Sequence, residues 1–148
     1  MNTPVRAATI FAALLSIPLA ASAATTVIGN GYASDCSRQA IMGHYDRATL
    51  ELCNQALAQL LPRDDAAKTF VNRGVVYLRR KDYDNAERDL TSAEKLAGNL
   101  PEVFINQGAV RIAQHRYQEA LTLIDKGIAL NPSELEKAYY NQIGRAHV

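Results

Sequence analysis

Phe70-Val71-Asn72-Arg73-Gly74 returns 34 residues later as Phe104-Ile105-Asn106-Gln107-Gly108. A second pattern keeps the same register: Lys81-Asp82-Tyr83-Asp84-Asn85-Ala86 returns as His115-Arg116-Tyr117-Gln118-Glu119-Ala120, and an earlier copy stands at Gly43-His44-Tyr45-Asp46-Arg47-Ala48. The three tyrosines are 38 and then 34 residues apart. Two signals sharing one period mark an internal repeat. Between them apolar residues fall at helical spacing: Phe70, Gly74, Tyr77 and Leu78 on one segment, Ala86, Leu90, Ala93 and Leu96 on the next. Each unit is therefore expected to be a pair of helices of roughly 14 residues joined by a short turn. Breakers stand where helices should end or start, at Pro62, Gly98, Pro101 and Asn131-Pro132. Ser133 with Glu136 offers a capping box for one more helix.

This arrangement resembles the tetratricopeptide repeat family over residues 33–142. Residues 67–100 match best, through Phe70, Gly74, Tyr77, Ala86, Leu90 and Ala93. The next unit keeps Phe104, Gly108, Ala120, Ile124 and Pro132, but has Arg111 and Gly127 where the family has Tyr and Ala, departures expected to loosen packing. The first unit keeps Tyr45, Ala48 and Leu52 and reads as a divergent capping repeat. The resemblance implies an all-α fold, an αα-hairpin solenoid of about three repeats with the last truncated. Gly74 against Ala86, and Gly108 against Ala120, should let the helices of a hairpin approach closely, with Phe70 and Phe104 filling the space between units.

Working outward, residues 1–23 read as a secretory signal peptide. One positive charge (Arg6) precedes an apolar run over residues 7–19, and Ala21-Ser22-Ala23 gives the small-x-small pattern at a cleavage site. The run is shorter than the roughly 20 residues a spanning helix needs. Residues 24–32 read as a flexible lead. Periplasmic or secreted localisation is expected, with no membrane insertion after the leader is removed. The chain has 148 residues, 48% hydrophobic and 21% charged, which suits one domain. Sixteen Lys and Arg face fifteen Asp and Glu, and loss of Arg6 with the leader evens the count. That balance gives no footprint for nucleic acid.

Cys36 lies nine residues before Tyr45 and Cys53 eight after it. Antiparallel helices bring residues equidistant from their turn side by side, and export favours disulfides. A Cys36–Cys53 bond is expected; two small buried hydrophobes are the other reading. Catalytic chemistry finds no residues: there is no Ser-His-Asp, Cys-His or His-Glu-x-x-His arrangement, and Gly29-Asn30-Gly31 lacks the Lys-Ser/Thr of a phosphate loop. His44 and His115 read as turn residues, and Lys81, Asp82, Asp84, Glu87, Arg88 and Asp89 as solvated charge on exposed helix faces. No enzyme activity, cofactor or metal is expected.

What remains is a surface. The resemblance places the concave wall on the first helix of each unit, here Lys68, Val71, Asn72, Val75, Leu78 and Arg79, then Glu102, Ile105, Asn106, Ala109, Ile112 and Ala113. Asn72, Asn106 and Asn141 each stand two residues after the repeat aromatic and should form a ladder. An Asn amide offers two donors and an acceptor, which match the N–H and C=O of an extended peptide. A similar ladder in the tetratricopeptide region of O-linked N-acetylglucosamine transferase holds peptide backbones. Bonding to neighbouring helix backbone is the structural alternative. The carboxylate clamp of other family members is not matched, since Val71 and Val75 occupy its positions. The expected function is an exported noncatalytic module binding a peptide or partner protein in that groove. A self-associating structural module, or an accessory subunit of an envelope enzyme complex, are the alternatives.

At the other end, Tyr139-Tyr140-Asn141-Gln142 restarts the repeat, but Ile143-Gly144-Arg145-Ala146-His147-Val148 does not continue it. That string is what a common short-read sequencing adapter yields on translation. Residues 143–148 are therefore expected to be a non-native tail, with loop variation as the alternative.

Overall fold

The computed structural model describes residues 22–28 and 31–130. Among them are six helices and no strand: α1 (Tyr32–Ile41), α2 (Arg47–Leu57), α3 (Arg63–Arg79), α4 (Tyr83–Leu96), α5 (Pro101–Ala113) and α6 (Tyr117–Leu130). They pack as consecutive pairs α1/α2, α3/α4 and α5/α6. The first pair meets the second through α3, and α5 packs against both α3 and α4. Residues 131–148, including the expected further helix, Asn141 and the tail, lie outside the described residues.

The repeat has a physical basis in the turn. Gly43, Lys81 and His115 all adopt positive φ (83°, 63° and 61°). Each ends its helix in a Schellman arrangement, in which the N–H groups of His44, Asp82 and Arg116 donate to the carbonyls of Gln39, Tyr77 and Arg111 at 2.8–2.9 Å. Asp46 and Asp82 then cap the following helices by accepting from the N–H groups of Thr49 and Asn85. The Thr49 backbone bond, with its hydroxyl, holds the Asp46 carboxyl below the usual aspartate range.

Close approach follows from the small residues. A Cβ built on Gly74 would meet Leu90 Cγ at 3.2 Å and the Ala86 carbonyl at 3.5 Å; one on Gly108 would meet Ile124 Cγ1 at 2.7 Å and the Ala120 carbonyl at 3.2 Å. The residues expected to loosen the third pair do the opposite. At Gly127 a Cβ would stand 2.9 Å from Ile105 Cδ1 and 3.1 Å from the Pro101 carbonyl, so an alanine would be crowded there. Arg111 pairs with Glu87 on α4 and lies 3.4 Å from Glu119 on α6, which ties α5 to both helices through charge.

Asp89 also departs from expectation. It is not a solvated charge on an exposed face but 5% exposed, and it accepts two bonds from Arg73, at 2.7 and 2.8 Å. The same guanidinium reaches Asn54 on α2 and lies over Phe70 and Tyr77. Burial acts to lower the Arg73 pKa, but the bonds and charge of Asp89 outweigh it and raise the value. Cys36 and Cys53 form a disulfide with their Cα atoms 4.9 Å apart, joining α1 to α2. Among the described residues no helix is long and apolar enough to cross a membrane.

Candidate functional site

The asparagines stand on one face of the fold, built from α1, α3 and α5, because each lies nine residues before its turn residue, Lys81 or His115. Both are fully buried. What buries them is the chain's own amino-terminal segment. Residues 22–28, expected as the end of the leader and the start of a flexible lead, lie across this face. Ala23 N–H donates to Asn106 Oδ1 at 2.9 Å, and Asn106 Nδ2 donates to the Ala23 carbonyl at 2.7 Å. Two residues on, Thr25 N–H donates to Asn72 Oδ1 at 2.8 Å, and Asn72 Nδ2 donates to the Thr25 carbonyl, also at 2.8 Å. Two further on, Val27 N–H donates to Ser37 Oγ at 3.1 Å, while Ser37 Oγ–H donates to the Thr25 carbonyl at 2.9 Å.

Period two is the geometry of an extended strand. Backbone groups of one parity meet the ladder, and each amide uses both its donor and its acceptor on a single residue. Side chains alternate as well: Thr25 and Val27 are 7% and 6% exposed, whereas Ile28 is 88% exposed. Val27 packs with Ala33 and Ala56, with Leu61 alongside. At the other end Arg79 Nε donates to Ser22 Oγ at 3.0 Å, and its guanidinium lies 5.5 Å from the centre of the Tyr45 ring.

Asn106 does one thing more. Its Nδ2 also donates to the Glu102 carbonyl of its own helix, at 2.8 Å. The bond to neighbouring helix backbone and the bond to an extended segment thus coexist in one side chain.

The other expected wall residues are placed differently. Asn72, Asn106 and Arg79 face the segment. Val71 packs instead with Ala93 and Val103, and Ala109 belongs to the core cluster of Leu78, Ala86, Leu90 and Val110. Ile105 abuts Gly127, which turns it toward α6. Val75 is buried. Lys68 lines a shallow pocket with Asp64, Ala97, Asn99 and Leu100, at the link between α4 and α5. The residue not anticipated is Ser37, which stands six positions before Gly43 and so one helical turn past the register of the asparagines. Among the described residues no group of three or more His, Cys, Asp or Glu side chains could hold a metal ion.

No family model matches the chain, and no curated protein matches it.

Proposed function

We propose that this chain is an exported, noncatalytic interaction module of the tetratricopeptide-repeat kind, a short αα-hairpin solenoid that takes an extended protein segment along its α1/α3/α5 face. One observation carries the reading: Asn72 and Asn106 each bond the N–H and C=O of a single residue, and the two residues are two apart in an extended strand. A side chain that only braced its own helix would not need to satisfy both groups of a foreign backbone. Because the bonds are to backbone, the face accepts segments of varied sequence, and specificity rests on the inward side chains at alternate positions. Arg79, with its guanidinium at the entrance, adds a polar contact. The Cys36–Cys53 bond fits export.

The reading is tested by selecting a displayed library of extended peptides on the exported chain lacking residues 24–28, which otherwise occupy the Asn72 rung, and measuring the enriched sequences by fluorescence anisotropy. Four backbone bonds of on the order of 1 kcal/mol each are available, so Asn72→Ala with Asn106→Ala should weaken binding at least about tenfold. Far-ultraviolet circular dichroism should show helicity retained. Selected peptides that bind the double variant as tightly as the parent would overturn the proposal.

A further inference from the structure

The leader's expected cleavage point falls inside the segment that occupies the face. Ala23 is held by Asn106, Thr25 by Asn72 and Val27 by Ser37, and the bond between Ala23 and Ala24 lies between the first of these rungs and the second. Hydrolysis there adds one water, leaving a carboxylate on Ala23 and an ammonium on Ala24. Residues 24–28 keep every bond they make to Asn72 and Ser37, and Val27 keeps its packing against Ala33 and Ala56. Only the Asn106 rung loses its occupant. We propose that this rung then receives the carboxyl end of an extended peptide whose last residue is small and whose preceding residue carries a hydroxyl. The proposal rests on the groove reading above.

Direction is fixed by Asn106 itself. One of its Nδ2 hydrogens is committed to the Glu102 carbonyl, so a flipped amide would set Oδ1 against that oxygen. Donor and acceptor therefore keep their order, and an occupant must run the way Ala23 runs, with its carboxyl end toward Ala24. It cannot continue past that point, because Ala24 begins there. Its final carboxylate meets the new ammonium of Ala24, an attraction between opposite charges at the end of a partly buried groove. The residue before it stands where Ser22 stands, within reach of the Arg79 Nε–H. Asn106 keeps its Glu102 bond when the rung empties, so an arriving peptide gains the N–H and C=O bonds that Ala23 makes. The first sequence that fits is the leader's own end, Ala21-Ser22-Ala23.

The test uses the chain exported with its leader, its amino terminus read by sequencing and expected at Ala24. The probe is a labelled peptide of residues 19–23 with a free carboxylate, compared by anisotropy with the same peptide carrying a carboxyl-terminal amide. The acid should bind saturably; the amide on the parent chain, and the acid on Asn106→Ala, should each bind at least about tenfold more weakly. Equal binding of acid and amide, no saturable binding of the acid, or a chain starting elsewhere than Ala24 would overturn the proposal. If library-selected peptides still depend on Asn72 and Asn106 while the acid does not bind, this inference fails and the groove reading stands. If neither binds, both fail.

Discussion

Replacing Asn72 separates the two halves of its amide. In the native chain Oδ1 accepts from Thr25 N–H and Nδ2 donates to the Thr25 carbonyl, both at 2.8 Å, with the side chain wholly out of solvent. Asn72→Ala removes both bonds, a loss of about 2 kcal/mol for docking of residues 24–28, or about thirtyfold in the docking equilibrium. Asn72→Asp keeps the acceptor but puts a carboxylate oxygen against a carbonyl oxygen in a buried site, so release at neutral pH should be at least as large. The two variants part at low pH. Burial and the facing carbonyl both disfavour the charged form, so the introduced carboxyl has a raised pKa while the segment is docked. Docking is then fully favoured below the undocked value of about 3.9 and lost as pH rises through the raised one. Only the Asp variant should therefore recover the segment on acidification, when its neutral O–H donates to the Thr25 carbonyl. Amide hydrogen exchange reads this directly, as protection factors for Thr25 and Val27 corrected for intrinsic rate. The helical amides of Ala86 and Leu90 report whether the fold as a whole is intact. Unchanged protection of Thr25 and Val27 in Asn72→Ala would refute the ladder as the element that holds the segment.

Three further outcomes are expected. Gly108→Ala should lower stability in denaturant melts by about 1–2 kcal/mol, since its Cβ falls 2.7 Å from Ile124 Cγ1; Gly74→Ala, whose nearest neighbour is Leu90 Cγ at 3.2 Å, should be within about 0.5 kcal/mol of neutral as helix propensity offsets the contact. A larger loss at Gly74 would count against the packing described. Asp89→Ala leaves the Arg73 guanidinium without its buried carboxylate and should cost about 3–5 kcal/mol, read by thermal unfolding; a cost under about 1 kcal/mol would mean the pair is solvated. Cys36→Ala with Cys53→Ala should remove about 3 kcal/mol, and iodoacetamide should add nothing to the unreduced, denatured parent chain by intact mass.

Much of the fold was legible because the tyrosines that follow each turn and the small residues between paired helices recur at one period. The turn glycine at position 43 is legible by its type, whereas Lys81 and His115 adopt the same positive φ without announcing it, and only the tyrosines in register gave their place away. The cysteines were legible because a hairpin pairs residues by distance from its turn. Charge was harder to read. Asp89 looks like one more carboxylate in a charged run until Arg73, sixteen residues earlier, is seen to face it. Which wall residues face outward depends on helix rotation. Val71 and Ile105 share a register and make the equivalent contact one repeat apart, Val71 with Ala93 and Ile105 against Gly127, so neither lines the groove with Asn72 and Asn106.

The segment over residues 22–28 left almost no trace in its own sequence, and the chemistry of the ladder explains why. Its bonds come from asparagines 47 and 83 residues away and are made to backbone, so they ask nothing of the side chains at Ala23 and Thr25 beyond fitting. A strand paired with another strand would show a partner of matching pattern; one paired with amide side chains has none. The legible half of the interaction was therefore the receptor, in the recurrence of Asn72 and Asn106 at one register, and not the occupant. The same asymmetry applies to any partner that replaces it. A partner would be recognisable by the few inward positions, equivalent to Thr25 and Val27, that must be small or β-branched, while outward positions such as that of Ile28 are free to vary.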